Sequence, residues 1–120
     1  MTRQNFSTGS KWEPLIGYSR AVRVGQSIHI SGTTASGSDA YEQTIAILST
    51  IGQVLNEAGS GLQDVVKTRI YLTNITDWES VGKAHGEVFG EIRPATVILE
   101  VSRLIDPTLL VEIEAEAIVP

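Results

Sequence analysis

The chain contains no cysteine in its 120 residues. A disulfide framework, a thiolate nucleophile and a thiolate metal site are therefore excluded. Cations are scarce as well: nine Lys and Arg stand against fourteen Asp and Glu, for a net charge of -5 and a pI near 4.9. Phosphate binding needs a clustered basic surface, so no nucleic-acid partner is expected. There are only two histidines, and neither a His-x-x-His nor a Glu-x-x-His spacing occurs, so no metal is expected. No apolar run approaches a membrane span and the N-terminus lacks the apolar stretch of a signal peptide, which points to a soluble cytoplasmic protein with no membrane partner. With 42% hydrophobic residues the chain can bury a core, and at this length residues 1–120 are expected to form a single domain.

What the chain does have is alternation. From Arg93 to Pro120, RPATVILEVSRLIDPTLLVEIEAEAIVP reads as two strands around a polar turn. Val97, Leu99 and Val101 fall on one face of the first, with Thr96, Ile98, Glu100 and Ser102 on the other. In the second, Val111, Ile113, Ala115 and Ala117 share a face, and Glu112, Glu114 and Glu116 all project oppositely. So many carboxylates on neighbouring strands repel unless the face is solvated or met by cations.

Upstream, Met1 to Lys11 is polar and without periodicity, the pattern of an extended, partly mobile lead-in. Ala21 to Val24 and Ser27 to Ser31 alternate around Gly25-Gln26, a hairpin. Asp39 with Glu42 resembles a capping box, and Tyr41, Ile45, Leu48 and Leu55 follow at helical spacing up to Gly59. Val65 to Thr73 reads as a strand with Val66, Thr68, Ile70 and Leu72 inward and Lys67, Arg69 and Tyr71 outward. Lys67, Arg69, Arg103 and His29 are then the groups available to oppose the glutamates. Thr76 and Glu79 repeat the capping spacing and open a second helix through Phe89, in which Gly82 and Gly86 share a side, a pattern suited to close backbone packing or ligand approach. The order strand, strand, helix, strand, helix, strand, strand gives an α+β class: a mostly antiparallel sheet with two helices on one face.

The segments GYSRAVRVG, SGTTA, PAT, LEVSRL and LLVEIEAEA, in this order and spacing, resemble the reactive-intermediate deaminase (RidA) family, the small YjgF/YER057c/UK114-type proteins. The resemblance runs from about Tyr18 to Val119. It implies a chorismate-mutase-like fold and a homotrimer with sheets turned inward. It also implies a small-molecule ligand in each intersubunit cleft, no cofactor, and hydrolysis of imines or enamines by a clamp, a polarised C=N bond and a placed water. By position it implies Glu114 as the water-orienting, catalytic residue, with Tyr18, Ser31 and Gly32 contacting substrate. Glu114 could equally be a structural carboxylate paired with Arg69.

Two positions depart from the family pattern. Thr96 stands where deaminating members carry the arginine that grips the substrate carboxylate, and Gly82 stands where many have asparagine. Threonine cannot make a bidentate grip, which removes the usual basis for 2-iminobutanoate deaminase activity. Thr96, Gly82 and His85 would together define a remodelled pocket, with Arg20, beside Tyr18, reaching the cleft from its rim. Whether the chain is an enzyme therefore stays open between a C–N hydrolase and a non-catalytic metabolite-sensing or interaction trimer. Endoribonuclease activity, attributed to some relatives, is disfavoured by the acidic balance.

Overall fold

A computed structural model of the chain describes residues 2–120. Six strands form one sheet: β1 (Arg3–Phe6), β2 (Ala21–Val24), β3 (Ser27–Thr33), β4 (Val65–Leu72), β5 (Ala95–Glu100) and β6 (Val111–Ile118). Three helices join them: α1 (Trp12–Ile16), α2 (Ala40–Glu57) and α3 (Trp78–Phe89). The sheet order is β1-β2-β3-β6-β4-β5, and every pairing is antiparallel except β4 with β5. A parallel pair cannot be closed by a tight turn, and α3 supplies the crossover.

One face of the sheet carries Ile28, Ile30, Ile70, Leu72, Val111 and Ile113, all buried against Ile47, Leu48, Ile51 and Leu55 of α2 and Val81 and Phe89 of α3. Asp39 caps α2 as its spacing indicated, its side chain accepting from Glu42 N at 2.8 Å. The buried stripe of α2 is displaced from the one expected: Ile47, Ile51 and Val54 join Leu48 and Leu55, whereas Tyr41 turns outward and its hydroxyl donates to Glu87 of α3. The α3 start also differs. Asn74, rather than Thr76, provides the capping oxygen, accepting from Thr76 N and Oγ1 ahead of a short 3-10 turn at Ile75–Asp77.

Three expectations fail, each for a physical reason. The N-terminal lead-in contains β1, which pairs with β2 from Arg3↔Val24 to Phe6↔Ala21. Arg3, Gln4 and Asn5 are exposed, so backbone hydrogen bonds along an edge, and not burial, hold this strand. The C-terminal strands are not a hairpin, because β4 lies between β5 and β6. Alternation reports which face a residue occupies and says nothing of which strand lies alongside. Glu100, opposite buried Leu72, accordingly leaves the glutamate row and accepts from Ile75 N at 3.0 Å. Finally Val66 is 43% exposed while Val65 is buried. Between Val65↔Ala117 and Lys67↔Glu116 the β4 strand carries one extra residue, a bulge that turns Val66 out.

Candidate functional site

The face of the sheet away from α2 and α3 is where the charges converge. Along β6, Glu116, Glu114 and Glu112 stand opposite Lys67, Arg69 and Tyr71 of β4. Glu116 is bridged on both sides, by Arg69 Nη2 at 2.9 Å and His29 Nδ1 at 3.5 Å. The alternative left open for Glu114, an ion pair with Arg69, is therefore not made. Glu114 instead accepts from the Tyr71 hydroxyl, and that bond, with burial and the nearby negative charge, pushes the Tyr71 phenol above its ordinary range. Tyr71 was not singled out by the sequence, since an outward tyrosine in a strand reads as surface. Glu112 has no hydrogen-bond partner among the described residues; burial raises its proton affinity, Arg20 opposes that rise, and the Glu114 charge adds to it.

A second bulge shapes the ground beside these groups. From Ile30↔Ala115 to Thr33↔Ile113, β3 advances three residues while β6 advances two, so Ser31 and Gly32 leave the ladder. Ser31 Oγ donates to Ser19 O at 2.6 Å. The Glu112 carboxyl occupies the space over Gly32: a Cβ there would stand 2.1 Å from Glu112 Oε2. Only glycine leaves room for the carboxyl in this position.

Arg20 is buried beneath the bulge, not at a rim as expected, with Nη1 donating to Gly32 O at 2.9 Å and Thr33 Oγ1 at 3.2 Å. Its guanidinium carbon lies 5.5 Å from the centre of the Tyr18 ring. Tyr18, Arg20, Ser31, Gly32, Glu112 and Glu114 line a groove of about 960 Å³ whose lip is apolar, with Trp12, Ile16 and Ile105. A smaller recess of about 350 Å³ continues it between Tyr71, Arg103, Glu112 and Glu114. The near wall is secured by Glu13, buried, whose carboxylate accepts from Thr8 N and Oγ1 and is held below the usual range first by the Ser7 hydroxyl. The far wall, residues 101–110, is held by the buried Gln43 amide, which donates to Thr108 O at 3.0 Å and accepts from Leu110 N at 2.8 Å.

Thr96, His85 and Gly82 lie elsewhere. Thr96 sits opposite Thr68 in the β4–β5 register, and Thr68 faces the helices while its neighbour Arg69 faces the glutamates. Fully buried Thr68 Oγ1 links Thr96 Oγ1 at 2.7 Å to His85 Nε2 at 3.0 Å. Burial pushes the imidazole below its ordinary pKa, and its ring is 4.7 Å from that of Phe89. Thr96 Oγ1 has two acceptors for its proton within the chain, Thr68 Oγ1 and, at 3.1 Å, Pro94 O. With its proton held by either of these, exposed Thr96 presents a lone pair to its surroundings. A side chain at Gly82 or Gly86 would meet nothing within 4 Å, so packing inside this chain does not require either glycine. The expected residues therefore separate: Tyr18, Arg20, Ser31, Gly32 and Glu114 lie around the groove, and Thr96 and His85 are linked at the β5 edge on the other face, with Gly82 three residues before His85 in α3.

Residues 8–119 match the family described as Endoribonuclease L-PSP. The fold superposes, at a TM-score of 0.97 and 51% identity over 98% of this chain and 100% of the other, on Rv2704 from Mycobacterium tuberculosis, described as a member of the highly conserved YjgF/YER057c/UK114 family. The chain belongs to the YjgF/YER057c/UK114 family. It is also similar to a RutC family protein of Pyrococcus abyssi, at 35% identity covering 98% of both chains. The 3-aminoacrylate deaminase RutC of Acinetobacter baylyi is 32% identical over 87% of this chain and 88% of its own. The YjgF/YER057c/UK114 assignment and the α+β class read from the sequence both stand, and the family match spans both residue groups. Among the described residues, no group of three or more His, Asp or Glu is placed to hold a metal ion, and no helix is long and apolar enough to cross a membrane.

Proposed function

We propose that this chain acts as one domain of a homotrimer that binds a small metabolite between subunits and hydrolyses its imine- or enamine-like C–N bond. The observation that carries this reading is the separation of the two residue groups onto opposite faces of one sheet. A cleft containing both needs the β5 edge of one subunit beside the groove of the next. The open face suits burial against another copy: Val97 and Leu99 are exposed there in register with Arg69 and Tyr71. The relative named 3-aminoacrylate deaminase supplies the chemical precedent, an enamine.

The ligand end that reaches Thr96 is uncharged and carries a hydrogen-bond donor. An arginine in that position would form charge-assisted bonds worth ~1.5 to 3 kcal/mol, so its absence weakens carboxylate binding by roughly ten- to a hundredfold. A Thr96 proton engaged by Thr68 Oγ1 or Pro94 O adds to this by leaving a lone pair toward any carboxylate oxygen. That polarity also supports a second reading, a trimer that senses such a ligand without turnover.

Two measurements test the proposal. Light scattering should give a trimer mass. Ammonia release should be faster from 3-aminocrotonamide, a neutral enamine, than from 2-iminobutanoate generated by an amino-acid oxidase and followed as its semicarbazone. A monomer, or preference for the carboxylate substrate, overturns the proposal; ligand-induced thermal stabilisation without ammonia favours the sensor.

A further inference from the structure

The groove carries its charges inside and its apolar side chains at the mouth. On the near lip α1 presents Trp12 and Ile16, four residues apart and so on one side of the helix, while Leu15 of the same helix lies outside the groove. On the far lip stand Ile105 and Leu109. Trp12 is 39% exposed, Ile16 65% and Ile105 63%. A single exposed apolar side chain is ordinary, but several converging on the two lips of one opening mark a surface that an apolar group covers.

Both lips are pinned from beneath, so their separation is set before any ligand arrives. Glu13, between Trp12 and Pro14, is buried with its carboxylate accepting from Thr8 N and Oγ1, and its carbonyl accepts from Gly17 N at 2.8 Å and Tyr18 N at 3.0 Å. Gly17, at φ 89°, ends α1 in the left-handed conformation and turns the chain toward Tyr18. Across the groove the Gln43 amide holds Thr108 and Leu110 on either side of Leu109. Lys11 Nζ lies over the Trp12 ring, 5.0 Å from its centre, and among the described residues no aromatic ring stacks on the indole. Size agrees with the polarity. Pockets of roughly 300 to 1,000 Å³ bury most of a drug-sized molecule. At about 960 Å³ the groove is much larger than a four-carbon amide needs.

We propose that the two lips bind an aromatic substituent of the ligand, with Trp12 and Ile105 as specificity-determining residues, so that the substrate class is a neutral enamine amide bearing an aryl group on the carbon that carries nitrogen. The inference rests on the hydrolytic reading above and names the class of substrate for it. The C–N bond of such a molecule lies among the charged groups, and its ring stands between the lips, against the Trp12 indole on one side and Ile105 on the other. Apolar area on both lips and on the ring leaves water together, and ring against indole adds the preference of aromatic pairs.

The test measures binding of two keto amides, the hydrolysis products of the corresponding enamines: benzoylacetamide, which carries the ring, and acetoacetamide, which has a methyl group in its place. The chain has two tryptophans, so Trp78→Phe leaves Trp12 as the sole indole emitter. Circular dichroism and solution mass confirm that each variant is folded and assembled. Benzoylacetamide should bind more tightly than acetoacetamide by roughly tenfold to a hundredfold and should change the Trp12 emission. Trp12→Ala and, from the opposite lip, Ile105→Ser should each remove about tenfold of the benzoylacetamide affinity and far less of the acetoacetamide affinity. Leu15→Ser, on the side of α1 away from the groove, should alter neither. Equal affinity for the two amides, or an equal loss of both in the lip variants, overturns the proposal. So does a Trp12 that acrylamide cannot quench in the free assembly, because a second copy of the chain then fills the mouth. Turnover is read separately, as ammonia from 3-amino-3-phenylpropenamide and 3-aminocrotonamide. Release from neither fails the hydrolytic reading and leaves the binding result to decide the inference; release from 3-aminocrotonamide without benzoylacetamide binding fails the inference alone.

Discussion

The Tyr71 phenol crosses from β4 to β6 on a diagonal and donates to Glu114, leaving its directly opposed neighbour Glu112 without that bond. A carboxylate acceptor favours the protonated phenol, so the folded state raises the Tyr71 pKa. A group with a raised folded pKa stabilises the fold fully below its unfolded value, and that contribution is lost as pH rises through the folded value. Stability should therefore fall from about pH 10 upward, and an ultraviolet titration should show delayed phenol ionisation, shared with Tyr41, whose partner is Glu87. Tyr71→Phe should remove the Tyr71 part of the delay and, by freeing Glu114, lower kcat.

His85 gives the opposite sign. Burial depresses its pKa, so the neutral imidazole is the form that the fold favours. Its contribution is present above about pH 6.5 and is lost as pH falls through the lower folded value. Proton NMR should place the His85 midpoint below that of a free histidine. His85→Gln, which keeps a polar partner for Thr68, should flatten the acid side of the stability profile; an ordinary His85 midpoint would contradict the burial seen at α3.

Thr96→Arg tests the missing clamp directly. The Thr96 side chain is exposed, so a longer one has room. Calorimetry should show 2-oxobutanoate binding strengthened by roughly ten- to a hundredfold, equivalent to ~1.5 to 3 kcal/mol. Hydrolysis of 2-iminobutanoate should rise with it, while turnover of the neutral amide should not.

Gln43→Leu should be costly for a surface-sounding change. The amide meets Gly37 O, Thr108 O and Leu110 N inside the protein, and the leucine leaves those groups unpartnered. An unsatisfied buried group costs about 1 to 3 kcal/mol, so urea midpoints should drop by an amount of that order. Limited proteolysis should cut within residues 101–110, the wall that Gln43 anchors.

The parts of this molecule that could be read from the chain are those where one face of an element is buried and the other wet. β6 follows its alternation, as do β3 from Ser27 to Ile30 and β4 from Lys67 onward, Asp39 caps α2 as spaced, and Glu116 of β6 is met by Arg69 and His29, two of the residues named for that purpose. What could not be read depends on strand order or on one extra residue. β1 has no apolar periodicity to reveal it, the bulges at Val66 and Ser31-Gly32 break alternation only in three dimensions, and β5 takes a parallel partner that no local pattern specifies. The same limit governs the site. Tyr18, Arg20, Ser31, Gly32 and Glu114 line one groove, but the distance of Thr96 from them follows from its facing the helices, a matter of register.

The strand order has a consequence for synthesis. β6 comes last of the six strands in the chain, yet it lies between β3 and β4, which do not otherwise touch in the sheet. A nascent chain that has emerged only as far as β5 therefore holds two strand edges with unpaired backbone groups, each a template for pairing with another chain. Aggregation during translation should peak in that interval, and a pause placed before residue 111 should be more damaging than one placed anywhere upstream.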